Sequence, residues 1–242
     1  MLGTVFLYQK GMPLMHFNIL TIFPEMFPGT LGGGVVGRAL EKKIWSYSAM
    51  DLRGFATDNY GSVDDAQFGG GAGQVMLPEV IGSAIDSIPS NHRGDIICFS
   101  PRGRLLDQKT VRKFADSGMS HFTLICGRYE GIDQRVIEEY NMTELSVGDY
   151  ILSGGEIAAQ VFIDSLVRLL DNVVNGGADA TANESFEIGG LEWPLYTRPS
   201  AWRGRKVPEV LLSGHHGNIE RWRKEQSDEI TKKRRPDLVK ES

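Results

Sequence analysis

Two glycine-rich segments, Thr123–Asp133 and Ser146–Glu156, carry the residue types best suited to binding a small molecule. Each runs from a β-type stretch into a glycine-rich loop and then into a helical pattern. Glycines at such strand ends let backbone N–H and C=O groups approach a flat ligand that a Cβ atom would block. Either loop alone fits a tight turn. Together, with Tyr129 and Asp149 among the glycines, they predict one pocket lined mainly by main chain.

A third loop, Ser100–Asp107, follows a buried-strand pattern and leads into a helix. Ligands of parallel α/β sheets gather at the carboxyl ends of the strands. We therefore expect this loop to join the other two at one edge of the sheet.

Gly69, Gly71 and Gly73 match the spacing of a dinucleotide-binding fingerprint, but that motif requires an apolar strand directly before it. The residues before Gly69 form a polar loop, so the Rossmann interpretation is excluded. A glycine loop that shapes a cleft and a plain surface loop both remain open. His215 and His216 lack partners at metal-ligand spacing, which favours a phosphate contact over a metal site.

Strand and helix patterns alternate through the first two-thirds of the chain, which predicts an α/β domain with a largely parallel sheet covered on both faces. The predicted strands are His16–Phe23, Tyr47–Leu52, Asp95–Phe99, Phe122–Cys126 and Met142–Val147. The predicted helices are Val35–Trp45, Pro78–Ile88, Asp107–Ser117 with Asp107 as its cap, Ile132–Tyr140 and Gly155–Leu170.

Composition and cysteine usage are those of a cytoplasmic globular protein. No apolar run approaches the ~20 residues that a membrane span requires. Cys98 and Cys126 each lie in an apolar run, which predicts reduced core thiols. Residues 1–14 lack the features of a secretory signal, and we interpret them as an N-terminal extension or a tag-like segment.

The distribution of charge separates a C-terminal module from the rest of the chain. The net charge is −5, yet residues 195–242 contain 12 Lys and Arg against 7 Asp and Glu, a surplus of +5. A basic module can meet phosphates, although a solvated helical face explains the same charges. We predict a main domain over 15–170, a flexible linker over 171–194 and a basic module over 195–242, with a helix around Asn218–Ser227.

Several long motifs resemble the bacterial tRNA (guanine-N1)-methyltransferases that modify guanosine 37, a family of the SPOUT class. The resemblance is collinear from about Met15 to the C-terminal helices. It rests on Phe23–Phe27, Phe68–Gly73, Cys126–Asp133, Val147–Glu156, Tyr196–Pro199 and Leu212–His216.

The resemblance implies a parallel sheet with a deep trefoil knot, followed by a small all-α domain that binds tRNA. It also implies a homodimer with the active site at the subunit interface. The methyl donor would be S-adenosyl-L-methionine, and Mg²⁺ is a further candidate cofactor.

The resemblance also implies which residues form the site. The donor contacts would be Pro101, Gly103, Gly127, Tyr129, Glu130, Gly131, Val147, Gly148, Asp149, Tyr150, Ile151, Leu152, Gly154 and Gly155. Arg168 matches an arginine that acts on the guanine. Glu184, just before Ser185, stands where the family has its general base, an aspartate. Ala66-Gln67 is a second departure, because the family has Arg-Pro there.

Two other functions remain as alternatives to guanine methylation. A SPOUT ribose 2′-O-methyltransferase would need no acidic residue beside a Ser-Phe pair. An RNA-binding protein with a vestigial pocket would bind the donor without transferring the methyl group. The position of a transferred methyl group distinguishes all three.

Overall fold

A computed structural model of the chain describes residues 15–176 and 181–239. The predicted N-terminal extension, 1–14, lies outside the described residues. Contacts divide the chain into two compact units, with the boundary between Asn175 and Gly176.

The first unit is built on a five-stranded parallel sheet, which confirms the predicted α/β class. Its strands are β1 (Met15–Thr21), β2 (Trp45–Asp51), β5 (Asp95–Leu105), β6 (His121–Ile125) and β7 (Thr143–Ser146). Their spatial order is β2-β1-β6-β5-β7, and every neighbouring pair is parallel. A separate antiparallel hairpin is formed by β3 (Asp64–Ala66) and β4 (Gln74–Met76).

The helices of the first unit cover the sheet. All except the short helix Ser90–Arg93, which was not predicted, match a predicted helix within a few residues at each end. The helices are α1 (Gly34–Glu41), α2 (Pro78–Asp86), α3 (Ser90–Arg93), α4 (Gln108–Ala115), α5 (Gln134–Glu139) and α6 (Gly155–Val167). Asp107 caps α4 as predicted, because its carboxylate accepts a hydrogen bond from the backbone N–H of Thr110. Short 3₁₀ turns span Pro24–Met26, Gly29–Gly32 and Leu52–Phe55.

Apolar side chains are buried on both faces of the sheet, which explains the continuous apolar runs at the start of β5 and in β6. Phe17 and Phe122 pack on one face with Phe162 of α6. Leu20 and Ile125 belong to the cluster on the other face. Neighbouring residues of one strand therefore enter two separate cores, as the two-residue period of a strand requires.

β5 differs from the prediction, because it extends to Leu105 instead of ending at Phe99. Phe99 and Arg104 both align with Leu145 of β7, so the residues between them loop out of the ladder. The predicted loop after β5 is thus a large irregularity within a longer strand. The pairing of Leu105 with Ser146 resumes the strand after it, and such tertiary pairing has no local sequence signal.

The second unit contains a long helix, His216–Arg234, which includes the predicted helical stretch Asn218–Ser227. It ends two residues before Pro236, since a proline cannot continue a helix. A short helix spans Glu209–Leu212, and a 3₁₀ turn spans Pro236–Leu238. The expectation of an all-α module needs correction. Strands β8 (Ala201–Trp202) and β9 (Arg205–Lys206) form an antiparallel hairpin with a two-residue connection. The hairpin is too short for a composition-based prediction to detect.

Part of the segment predicted as a linker is folded against the long helix. The Thr231 hydroxyl accepts a hydrogen bond from the backbone N–H of Leu191, and the Ser227 hydroxyl donates one to the carbonyl of the same residue. Ser185 similarly accepts from the N–H of Glu192. These side chains satisfy backbone groups that a linker would leave to water, so the second unit begins at Gly176 rather than at 195.

Candidate active site

A pocket of about 320 Å³ lies at the carboxyl ends of β5, β6 and β7, within the first unit. Three chain segments line it, namely 98–102, 127–132 and 144–155 except Asp149, together with Ile137 of α5 and Ala158 of α6. The prediction that three loops converge at this edge of the sheet is confirmed. Exposed side chains of Tyr129, Tyr150 and Ile151 are part of the lining, so the pocket opens to solvent.

The two glycine-rich loops touch each other through their backbones. The N–H of Gly155 donates a hydrogen bond of 2.9 Å to the carbonyl of Gly127. A Cβ atom on Gly155 would lie 2.7 Å from the Cα of Cys126, which a real side chain cannot do. Glycine is therefore required at 155 by close approach. At Gly127, in contrast, a Cβ atom would lie 3.5 Å from Ile132, an ordinary contact.

A buried ion pair joins the same two loops beneath the pocket. The guanidinium of Arg128 lies 2.8 Å from the carboxylate of Glu156, whose side chain is 1% exposed. Arg128 also donates to the carbonyl of Ser153 and covers the ring of Phe23 at 4.5 Å. Glu156 in turn accepts a hydrogen bond of 2.7 Å from the hydroxyl of Thr21 at the end of β1. One charge pair therefore ties three strand ends together.

The β3–β4 hairpin supports the first glycine loop from outside the pocket. The N–H of Glu130 donates to the carbonyl of Gln74, and the N–H of Met76 donates to the carbonyl of Gly131. The glycine-rich segment Gly69–Gly73 lies in the connection of this hairpin. Of the two interpretations left open, a loop that shapes the cleft fits this arrangement better than an independent surface loop.

Most of the predicted donor-binding residues line the pocket. Those that do are Pro101, Gly127, Tyr129, Glu130, Gly131, Val147, Gly148, Tyr150, Ile151, Leu152, Gly154 and Gly155. Gly103 lies behind the pocket wall, where its Cα approaches β7 so closely that a Cβ atom would be 2.6 Å from the carbonyl carbon of Leu145. Asp149 is exposed and does not line the pocket.

The two predicted catalytic residues lie in different units. Arg168 follows the last residue of α6 in the first unit. Glu184 lies in the second unit, in a turn where its carbonyl accepts hydrogen bonds from the N–H groups of Glu187 and Ile188. Neither residue lines the pocket.

The two cysteines near the pocket, Cys98 in its wall and the fully buried Cys126, are poor nucleophiles. Burial raises the pKa of the Cys98 thiol to about 12, and the nearby Glu144 carboxylate adds to that rise. Burial also raises the pKa of Cys126 well above its usual range, with a further contribution from Glu156. Both thiols are therefore protonated at neutral pH, which argues against covalent catalysis through cysteine.

Within residues 15–176 and 181–239, no group of three or more His, Cys, Asp or Glu side chains is arranged to hold a metal ion. No helix in those ranges is both long and apolar enough to cross a membrane.

Comparison with known proteins assigns the chain to a family. The sequence profile of the family described as tRNA (Guanine-1)-methyltransferase TrmD matches residues 15–241. The chain belongs to this family. Because curated relatives across the family are methyltransferases, the protein is an enzyme of that class.

Relatives within the tRNA (Guanine-1)-methyltransferase family match almost the whole chain. The tRNA (guanine-N(1)-)-methyltransferase of Rhodospirillum rubrum is 56% identical over 91% of this chain and 90% of its own length. That of Wolbachia pipientis wMel is 53% identical over 93% of this chain and 96% of its own. That of Rickettsia akari is 50% identical over 95% of this chain and all of its own length.

The sequence predicted only part of the pocket wall. Cys98, Arg128, Ile132, Glu144 and Ala158 also line it and were not predicted as site residues. Of these, Arg128 could have been identified from the sequence. A charged residue so soon after a buried strand is costly unless it is paired, so its partner could have been sought. Its partner Glu156 ends the other glycine-rich segment and is more deeply buried, with 1% of its side chain exposed against 17% for Arg128.

Proposed function

We propose that the enzyme transfers a methyl group from S-adenosylmethionine to N1 of guanosine 37 in tRNA. The observation that carries the proposal is the glycine-lined pocket at three converging strand ends, in a chain of the tRNA (Guanine-1)-methyltransferase family. At about 320 Å³ the pocket is within the size range, roughly 300–1,000 Å³, of sites that enclose drug-sized molecules.

The chemistry of the pocket wall fits an adenosine-containing donor. Gly127, Gly131, Gly148, Gly154 and Gly155 in the wall leave backbone N–H and C=O groups accessible to a ligand, and such groups can recognise the edges of a base. We propose that the adenine lies against Val147–Leu152. S-adenosylmethionine supplies an electrophilic methyl group on a sulfonium, which needs no activation by the protein. The task of the pocket is to orient it, and orientation alone can remove several kcal/mol of a barrier.

We propose Glu184 as the general base. Guanine N1 carries a proton at neutral pH and becomes a good nucleophile only as that proton leaves. A carboxylate within hydrogen-bond reach can accept it during methyl transfer, an effect worth roughly 10²–10⁴-fold. The proposal is supported by the position of Glu184 directly before Ser185-Phe186, and it requires the carboxylate to reach the bound guanine.

We propose that Arg168 stabilises the negative charge that develops on O6 as N1 loses its proton. A guanidinium is permanently charged and donates several hydrogen bonds in a fixed plane, which suits an oxyanion next to a ring nitrogen. The charge would be fully present before the reaction starts, so no reorganisation is needed.

We propose that the enzyme is a homodimer whose active site draws on both subunits. α6 is a core helix, yet Ile157 and Val161 on it are 45% and 44% exposed. The two lie one helical turn apart on one face, and Arg168 follows seven residues later on the same side. An apolar stripe that leads to a charged residue fits a subunit interface next to a shared cleft.

The trefoil knot and the role of the second unit are further parts of the proposal. The order of the sheet places β5 between β6 and β7, and the segment after β7 returns to Gly127 at the end of β6. We propose that this segment passes through the loop within β5, as a trefoil knot would require. We propose that the basic second unit binds tRNA through its phosphates. We also propose that the enzyme works in the cytoplasm. A requirement for Mg²⁺ stays a prediction.

The test is to locate the transferred methyl group. Unmodified tRNA with guanosine at position 37 is incubated with the enzyme and isotopically labelled S-adenosylmethionine, then digested to nucleosides. We expect label in 1-methylguanosine, and none when position 37 is changed to adenosine. Label in a ribose 2′-O-methylated nucleoside, or donor binding without transfer, would overturn the proposal in favour of one of the two alternatives.

A further inference from the structure

The β8–β9 hairpin of the second unit is a tight, well-defined projection. Ala201 pairs with Lys206 and Trp202 with Arg205, and the N–H of Val207 donates to the carbonyl of Ser200 to close the base. The two connecting residues, Arg203 and Gly204, have φ angles of +51° and +78°. Positive φ at both central positions is the signature of a type I′ turn, whose twist matches that of paired strands.

Arg203 occupies a position that its residue type disfavours. The first central position of a type I′ turn strongly prefers Asn, Asp or Gly, because a larger side chain at positive φ is strained. The guanidinium of Arg203 lies 4.7 Å from the ring centroid of Trp202, over one face of the indole. The strained turn therefore holds a cation against an aromatic ring. This cation–π contact accounts for an arginine at the position.

This aromatic ring and the charges around it face solvent. Trp202 is 60% exposed, and every residue from 195 to 206 is exposed. Between 195 and 208 the sequence has four cations, Arg198, Arg203, Arg205 and Lys206, and no Asp or Glu. None of the four forms an ion pair within the described parts of the chain. The long helix differs, because acidic residues such as Glu220 and Glu225 alternate with its cations.

An exposed indole covered by a guanidinium and surrounded by unneutralised cations matches the chemistry of single-stranded nucleic acid. Bases stack on aromatic faces without regard to sequence, and Arg adds a cation–π contribution. Phosphates on either side of a stacked base would be met by Arg205 and Lys206. Double-stranded RNA keeps its bases inside the helix and cannot offer such a face, so the chemistry favours an unpaired nucleotide.

We propose that Trp202 stacks on an unpaired base of the tRNA while Arg205 and Lys206 hold its flanking phosphates. This inference rests on the proposed tRNA substrate and adds to it a recognition element that is separate from the donor pocket. The hairpin would favour substrates with an accessible, unstacked nucleotide over fully paired RNA.

The test compares tRNA binding by full-length variants at several salt concentrations. Trp202→Ala is expected to weaken binding roughly 10-fold or more without changing the salt slope, because stacking releases no counterions. Trp202→Phe should retain most of the affinity. The double variant Arg205→Gln/Lys206→Gln should reduce the salt slope by about 1–2. Leu212→Ala is the matched control, because Leu212 is 61% exposed in the same unit and should leave binding unchanged.

The outcomes separate this inference from the proposed function. If the wild-type enzyme methylates tRNA and Trp202→Ala binds it as tightly as Leu212→Ala does, the hairpin proposal is overturned and the proposed function stands. If the wild-type enzyme does not bind or methylate tRNA, the proposed function is overturned, and the hairpin proposal that rests on it is overturned with it. Donor affinity, measured by calorimetry, should be the same in all variants, and thermal unfolding confirms that each is folded.

Discussion

Arg128 and Glu156 form a buried ion pair, 2.8 Å apart, that joins the loop after β6 to the start of α6 next to the pocket. The contact is a Coulombic attraction rather than a well-formed hydrogen bond, because neither Arg128 Nε nor Glu156 Oε2 has a hydrogen-bond partner among the described residues. Each charge is tolerated in the core only because the other is present. The pair therefore fixes the relative position of the two glycine-rich loops.

Breaking this pair should destabilise the protein strongly. Glu156→Gln keeps the shape of the side chain but leaves the guanidinium without its counter-charge, which should lower the free energy of unfolding by on the order of 3 kcal/mol. Donor affinity should fall as well, since Arg128 also holds the carbonyl of Ser153. Urea denaturation and calorimetry measure the two effects. Asp133→Asn is the control, because it breaks the exposed pair with Arg135 and should cost less than about 1 kcal/mol.

The two loop glycines should respond differently to substitution. Gly155→Ala forces a methyl group against the backbone of Cys126, so we expect a marked loss of thermal stability and of donor binding together. Gly127→Val should fold, because there is room for a Cβ atom at that position, but its side chain should occupy donor space and abolish binding. A Gly127→Val protein that binds the donor normally would contradict the placement of the donor beside Gly127.

Glu184→Gln should slow methyl transfer without weakening binding. We expect the single-turnover rate at neutral pH to fall roughly 10²-fold or more, with unchanged affinity for donor and tRNA. The loss should lessen as pH rises, because N1 then deprotonates without help. Glu184→Asp should keep substantial activity, and Glu187→Gln in the same turn is the matched control. A near-normal rate for Glu184→Gln would assign the base to another acid.

A shared active site predicts complementation between inactive subunits. Arg168→Ala and Glu184→Ala proteins are each expected to be inactive. If the guanine is bound between subunits, each hybrid dimer has one of its two sites with both wild-type residues. Random exchange in a 1:1 mixture makes half of the dimers hybrid, so mixing should restore roughly a quarter of the wild-type activity. Native mass spectrometry verifies subunit exchange. Continued inactivity in demonstrated hybrid dimers would place both residues in the same subunit's site.

A histidine cluster at the amino end of the sheet should make stability depend on pH. The rings of His92 and His121 are stacked 4.9 Å apart, and His16 lies 5.8 Å from His121. Burial, and then repulsion between neighbouring imidazoles, lowers the pKa of His16 and of His121 below 6.5. The folded state therefore binds fewer protons than the unfolded one in this range.

His16 and His121 should contribute to the free energy of unfolding above pH 6.5. This contribution should be lost as the pH falls from 6.5 toward their lowered pKa values in the folded state. The wild-type protein should lose more unfolding free energy between about pH 7.5 and about pH 5.5 than His121→Gln does. His215→Gln serves as the control, because His215 lies exposed in the other unit. Equal losses in all three proteins would show that the cluster does not contribute.

The sequence by itself determined the features that depend on local pattern. Alternating strand and helix patterns predicted the parallel sheet, and Asp107 predicted the start of α4, because periodicity and capping depend on neighbouring residues. The glycine-rich loops after β6 and β7 identified the pocket, since ligands of such sheets gather at strand ends.

Tertiary structure alone decided the contacts between residues far apart in the chain. The pairing of Arg128 with Glu156 and the approach of Gly155 to Cys126 follow from the strand order β2-β1-β6-β5-β7, which no local pattern specifies. The same order gathers His16, His92 and His121 from three separate segments. Many strand orders satisfy the same hydrophobic pattern, and only the packing of the whole core selects one of them.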